Sequence, residues 1–124
     1  MAKKYDIRKF EPVNNRVYEF LEAAVEGKYL FQEFAQDTGR SLRDKKNLAS
    51  IFSYMDCLSP STLLPKTKFR QIKGISRKDV YEFKKGDIRV YVIMKKPSVF
   101  VVLGAYKGTQ PKDIKRIDKL FADF

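Results

Sequence analysis

The sequence contains no histidine and a single cysteine, and both facts narrow the chemistry open to the chain. Without histidine, Ser-His-Asp catalysis, Cys-His catalysis and the commonest zinc sites are excluded. Cys57 has no partner for an intramolecular disulfide, and we expect it to be a small buried thiol. Walker loops, paired CxxC motifs and HExxH motifs are missing as well. Any catalysis must therefore use lysine, arginine, tyrosine or carboxylate side chains, and no cofactor or metal is expected.

The sequence also shows no long apolar run, lipidation signal or signal peptide. We therefore expect a cytoplasmic protein that does not bind membranes. Six glycines and five prolines among 124 residues, with 44% hydrophobic residues, exclude collagen-like, low-complexity and disordered classes. The length suits one domain over residues 1–124.

Acidic residues are scarce relative to basic ones. The chain has 26 lysines and arginines against 15 aspartates and glutamates, a formal net charge of +11. Such an excess repels itself unless an anionic partner relieves it. Nucleic acid is the first candidate partner. An anionic membrane surface is the second, but the missing lipidation signal, signal peptide and long apolar run argue against it, and a basic surface with no specific partner is the alternative to both.

The N-terminal half is predicted to be mainly helical. Alternation of apolar and charged residues over residues 4–10 indicates an edge strand. A helix is predicted to begin near Pro12 and to end or bend near Gly27, because its apolar residues recur at spacings of three and four. Those apolar residues are Val13, Val17, Phe20, Leu21, Ala24 and Val25. Further helices are predicted over residues 29–37 and from Ser41, which together with Asp44 three residues later resembles a capping box.

The C-terminal half is predicted to be mainly extended. After a loop over residues 58–68, strands are expected over residues 69–73, 80–84, 88–94 and 98–106. The short KKGD and KKPS connections favour antiparallel hairpins, and Pro111 is suited to open a last helix. The predicted fold class is α+β, with an N-terminal strand and helices on one face of a mainly antiparallel sheet and a C-terminal helix.

Strand alternation predicts which side chains face solvent. Val90 and Val92 should face the helices, while Arg89, Glu82 and Lys84 should share an open, cationic face. A solvated sheet face without a ligand is the alternative interpretation.

Several basic and aromatic residues of the C-terminal half are candidates for a nucleic-acid groove. The basic candidates are Arg70, Lys73, Arg77, Lys84, Arg89 and Lys107, and the aromatic candidates for base stacking are Tyr91 and Tyr106. Lys112, Lys115 and Arg116 lie on the polar face of the last predicted helix. These three are either docking contacts for RNA or the solvated side of an amphipathic helix.

The segments VYEFKKGDIRVYVIM and VFVVLGAYKGTQPKDI resemble the C-terminal half of the RelE/ParE toxin superfamily, especially its HigB-like branch. That family has ELR, YRV and F-x-K-K-T-Q motifs, and this chain has Glu82-Phe83-Lys84, Ile88-Arg89-Val90 and the segment AYKGTQ over residues 105–110. The segment PVNNRVYEFLEA is similar to the family's helix-opening pattern. Lys84 stands where the family usually has arginine. The aromatic residue of the family's motif corresponds to Ala105 here, and the aromatic side chain is at Tyr106 instead.

The resemblance implies a RelE-like toxin of a type II toxin–antitoxin pair that cuts mRNA on the ribosome and is inhibited by a cognate antitoxin protein. Arg89 and Lys84 would stabilise the phosphate, and Lys107 would transfer a proton or stabilise charge. Tyr91 or Tyr106 would stack a base or orient the 2′-OH. A non-catalytic nucleic-acid-binding module and a ParE-like topoisomerase poison are the alternatives.

Overall fold

A computed structural model describes residues 3–62 and 64–124 of the chain. The strands are β1 (Tyr5–Lys9), β2 (Glu19–Val25), β3 (Phe69–Gln71), β4 (Val80–Lys85), β5 (Ile88–Lys95) and β6 (Ser98–Tyr106). The helices are α1 (Leu30–Thr38), α2 (Leu42–Cys57) and α3 (Gln110–Leu120), the last preceded by a 3-10 turn over Lys107–Thr109. The predicted α+β class is confirmed. No helix in the described part of the chain has the length and apolar character needed to cross a membrane.

The strands form one mixed sheet. Their order is β1-β2-β6-β5-β4-β3, so β1 and β3 are the edges of a six-stranded sheet. The β2–β6 pair is parallel, and the other neighbouring pairs are antiparallel. The predicted edge strand β1 and the predicted meander β4-β5-β6 are therefore confirmed.

The prediction of a helix between Pro12 and Gly27 is wrong, because this segment forms a loop followed by strand β2. β2 lies between two other strands, and its residues from 22 to 25 are all buried. Parallel pairing and burial on both faces give a continuous apolar run instead of an alternating one. Such a run cannot be distinguished from a helical stripe by spacing alone.

The two helices predicted after Tyr29 are confirmed. The Ser41 side chain caps α2 by accepting a hydrogen bond of 3.4 Å from the Asp44 amide. Gly39 follows α1 with right-handed helical angles, so it is not a left-handed glycine cap. Cys57, expected to be buried, is exposed at the end of α2.

Helices cover both faces of the sheet, which corrects the prediction that they lie on one face. Val90 and Val92 pack with residues of α1 and α2, as alternation predicts. Tyr91 and Ile93, on the other side of β5, pack with Ile117 of α3 and with Phe121 just after it. The face expected to be open is therefore largely closed, because α3 has an apolar side of its own to bury.

Strand β6 contains a β-bulge and, beyond it, packs closely against α1. Tyr91 pairs with Leu103 and Val92 pairs with Val101, which leaves Val102 as the extra residue. Beyond the bulge Gly104 faces the ring of Phe34 in α1. A side chain at Gly104 would overlap that ring, so glycine is needed here for close packing.

Replacing this glycine tests the contact. We expect Gly104→Ala to lower the free energy of unfolding by about 1–3 kcal/mol through overpacking. Gly108→Ala is the matched control, since its added carbon has no atom within 4 Å, and it should change stability by less than about 0.5 kcal/mol. Urea denaturation measures both variants, and equal stabilities would contradict the packing at Gly104.

Candidate functional site

Four cationic side chains meet at one end of the sheet, and we call them the cation cluster: Arg70, Lys84, Arg89 and Lys107. Lys84 and Arg89 are direct cross-strand partners on β4 and β5. Arg70 lies opposite Glu82 on the edge strand β3. Lys107 follows β6, and its amide donates a 2.8 Å hydrogen bond to the carbonyl oxygen of Asp87. The structure therefore brings together the three predicted catalytic residues and one predicted RNA-binding residue.

Arg89 is a buried cation without a carboxylate partner. It is only 8% exposed. Its Nη1 donates to the carbonyl oxygens of Gly86 and Ile88 over 2.8 and 2.9 Å, while its buried Nε has no hydrogen-bond partner. None of the ion pairs among the described residues involves Arg89. Because an uncompensated buried charge is costly, this guanidinium favours an anionic ligand beside it.

Lys84 lies in a positive electrostatic field. Burial lowers the pKa of its ammonium group, and the charges of Arg70, Arg89 and Lys107 lower this pKa further, against the opposing effect of Glu82. Lys84 is partly buried. Its ammonium therefore gives up a proton more readily than an ordinary lysine, and its amine is a candidate proton acceptor.

Strand alternation predicted that Glu82 would lie on an open face, but it is buried beneath the cation cluster. Its side chain is fully buried. One carboxylate oxygen accepts a 2.5 Å hydrogen bond from Nε of Arg70, and the other accepts one of 2.5 Å from the side chain of Gln110 in α3. Sequence reasoning missed the role of Gln110, because it depends on α3 lying against this face.

The two tyrosines predicted to stack bases lie on opposite faces of the sheet. Tyr91 is fully buried, so base stacking on it is excluded in this structure. Burial, followed by the charges of Glu82 and Asp113, raises the pKa of the Tyr91 hydroxyl.

Tyr106 is 41% exposed, but it lies on the α1 and α2 side. Its hydroxyl donates to Asp44 over 3.1 Å, and its ring packs against Phe34 at 5.2 Å. The residue opposite Arg89 is Ala105. The aromatic side chain at residue 106 therefore points away from the cation cluster.

The remaining candidates lie outside the cation cluster. Arg77 holds Asp79 with hydrogen bonds of 2.8 and 2.7 Å and the carbonyl oxygen of Phe121 with one of 2.6 Å. The bond to Asp79 raises the pKa of Arg77 and lowers that of Asp79. Arg77 therefore joins the start of β4 to the end of α3. Lys73 is exposed after β3, and Lys112 is exposed in the first turn of α3.

No family model, curated protein or solved structure matches this chain. The resemblance of its C-terminal segments to the RelE/ParE superfamily therefore stays a prediction. Among the residues described, no group of histidine, cysteine or acidic side chains is arranged to hold a metal ion. The chemistry available at the cluster is that of three cations, one lysine with a lowered pKa and a buried carboxylate.

The anchoring role of Glu82 can be tested through stability. We expect Glu82→Ala to lower the free energy of unfolding by about 2 kcal/mol or more, because two short hydrogen bonds to a buried carboxylate are lost. Glu11→Ala removes an exposed glutamate and should have an effect below about 0.5 kcal/mol. Denaturant midpoints of the two variants give the comparison, and a Glu82→Ala protein as stable as Glu11→Ala would refute the anchor.

Proposed function

We propose that this protein is the toxin of a type II toxin–antitoxin pair and cleaves mRNA on the translating ribosome. The observation that carries the proposal is the buried, unpaired guanidinium of Arg89 beside Lys84, whose pKa is lowered. A phosphodiester is the anionic group that would use both properties. The motif resemblance of residues 80–113 to RelE-like toxins supports the same function, as does the net charge of +11.

The cluster can supply the three groups that RNA cleavage through its own 2′-OH requires. The neutral Lys84 amine accepts the 2′ proton while the 2′ oxygen attacks phosphorus. Arg89 stabilises the charge on the non-bridging oxygens of the pentacovalent phosphate. The exposed Lys107 ammonium donates a proton to the 5′ oxygen as its bond to phosphorus breaks. The products are a 2′,3′-cyclic phosphate and a 5′-hydroxyl.

The resemblance gave Lys84 a phosphate-stabilising role, whereas this assignment makes Lys84 the proton acceptor and keeps Lys107 in proton transfer as the donor. The reason is local environment, since Lys84 is partly buried among cations while Lys107 is exposed. A general base works best when its pKa is close to the working pH.

The ribosome accounts for cations outside the cluster. Lys112, Lys115 and Arg116 are exposed on α3, where they would contact ribosomal RNA. An acidic antitoxin segment covering the cluster would neutralise it and block substrate entry, and such complementarity also speeds association.

A second candidate is a non-catalytic RNA-binding module. The observation that favours it is the full burial of both Glu82 and Tyr91, which leaves only cations at the accessible surface of the cluster. Cations alone suffice to hold phosphates. The presence or absence of cleavage separates the two candidates.

The proposed role of Arg89 can be tested through mRNA cleavage. In a reconstituted translation reaction we expect wild-type protein to cut mRNA at codon-spaced positions only when ribosomes are present. Arg89→Ala should slow cleavage roughly a hundredfold or more, as does the loss of one donor to a transition-state oxyanion. Arg40→Ala, which removes an arginine whose side chain is 85% exposed, should cleave at the wild-type rate. Salt-sensitive binding without cuts by the wild type would favour the binding module.

The second prediction concerns the pH dependence of Lys84. Only the neutral amine accepts a proton, so the single-turnover cleavage rate should rise with pH and level off once the pH exceeds the pKa of Lys84. That pKa lies below the ordinary lysine value of about 10.4. Lys84→Arg keeps the charge but cannot lose its proton, and the rise should disappear. Lys46→Arg, at an exposed site of α2, should keep the wild-type profile. Parallel profiles for Lys84→Arg and wild type would remove Lys84 from proton transfer.

A further inference from the structure

Three aromatic rings form a column beside the edge strand β3. Phe69 lies opposite Phe83 in the β3–β4 register, and their ring centroids are 4.4 Å apart. Phe69 also stacks on Tyr81, with ring centroids 5.1 Å apart and an angle of 10° between the rings. Phe83 is fully buried, whereas Phe69 and Tyr81 are partly exposed. The column therefore runs from the core toward the surface and ends at Tyr81.

Two hollows meet at the end of this column, and both are lined by Phe69 and Tyr81. The first, of about 620 Å³, also has Lys66, Arg70 and Lys73 in its wall. The second, of about 410 Å³, has Lys78 and Lys96 in its wall. Its carboxylate, Asp79, is already paired with Arg77. No ion pair among the described residues involves Lys66, Lys73, Lys78 or Lys96, so both hollows have unpaired lysines around a shared aromatic surface.

This combination fits single-stranded nucleic acid better than an acidic peptide. Successive bases stack on aromatic rings while lysines and arginines hold the backbone, and every base has a face that can stack. An acidic peptide would use the lysines but would gain nothing specific from a flat ring at the end of a stack. Arg70 belongs both to the first hollow and to the cation cluster. Tyr81 and Phe69 lie on the same face of the sheet as Val92, opposite the cation cluster, so a strand bound in the first hollow would reach Arg89 by passing Arg70 at the edge strand β3.

We propose that Tyr81 stacks a nucleobase of single-stranded RNA, and that Lys66, Lys73 and Arg70 hold the adjoining phosphates. This inference rests on the proposed function, because it places a base-binding subsite on the path of the RNA that leads past Arg70 to the phosphodiester held at Arg89. The subsite takes the stacking role that the sequence gave to Tyr91 and Tyr106.

The first test uses the unaltered protein. Binding of a fluorescein-labelled oligouridylate is compared by anisotropy with binding of an abasic oligonucleotide of the same length and charge. Stacking on Tyr81 predicts about tenfold tighter binding of the RNA with bases, the order that base–aromatic stacking contributes. Equal affinities would show that the phosphates alone are bound and would overturn the subsite.

Variants then locate the stacking ring. Tyr81→Leu should lose about tenfold in affinity for the oligouridylate and nothing for the abasic strand, while Tyr81→Phe should keep wild-type binding to both. Tyr29→Leu changes a partly exposed tyrosine at the start of α1 and should leave binding unchanged. Lys73→Gln should weaken binding of both strands and reduce the slope of log affinity against log salt by about 0.7.

The outcomes distinguish failure of the subsite from failure of the proposed function. If Tyr81→Leu binds both strands as the wild type does while the wild type still cleaves mRNA on ribosomes, the subsite is wrong and the toxin proposal stands. If the wild type binds neither strand and does not cleave, both are wrong. If an acidic peptide displaces the RNA equally well from wild type and from Tyr81→Leu, the ring makes no contribution and the subsite is again overturned.

Discussion

The packing of α3 on the second face of the sheet is the constraint on which the rest of the structure depends. The central strand β5 is apolar on both sides, with Val90 and Val92 facing one way and Tyr91 and Ile93 the other. Exposing either face to water would lose the free energy gained by burying its apolar side chains. α3 closes the second face, and in doing so it encloses polar side chains that alternation alone would leave in solvent.

That closure explains the unusual electrostatics of the cation cluster. Glu82 is buried under α3, and its two carboxylate oxygens are both used, by Arg70 and by Gln110. Arg89 is drawn inside with no such partner. The carboxylate therefore does not neutralise the arginine, and a phosphate is a chemically suitable complement to the charge that remains. Lys84 is the cross-strand partner of Arg89, and its burial together with the charges of Arg70, Arg89 and Lys107 lowers its pKa.

Much of this arrangement follows from local sequence patterns, and the rest does not. The turn at Gly86 fixes the β4–β5 register, so the pairing of Lys84 with Arg89 could be predicted from the hairpin. Strand β2 could not be predicted in this way. Its parallel partner β6 lies more than seventy residues away, and burial on both faces removes the alternation of apolar and polar residues.

Burial of the candidate residues depends on the position of α3, which no local pattern gives. The fully buried Glu82 and Tyr91 were therefore assigned to the wrong environments. The hollow beside Tyr81 could not be predicted either, because its wall includes Leu58, Ser59 and Pro60 from the loop before β3.

The most direct test of the account is whether Arg89 contacts a phosphate. Nitrogen-detected NMR can follow the Nε–H resonances of arginine while a 2′-O-methyl RNA oligonucleotide, which cannot be cleaved through its 2′ oxygen, is added. The account predicts a large shift for Arg89, which has a free buried Nε, and almost none for Arg77, whose Nε is bound to Asp79. Saturating RNA that leaves the Arg89 resonance in place would contradict the claim that this cation is the phosphate-binding centre of the protein.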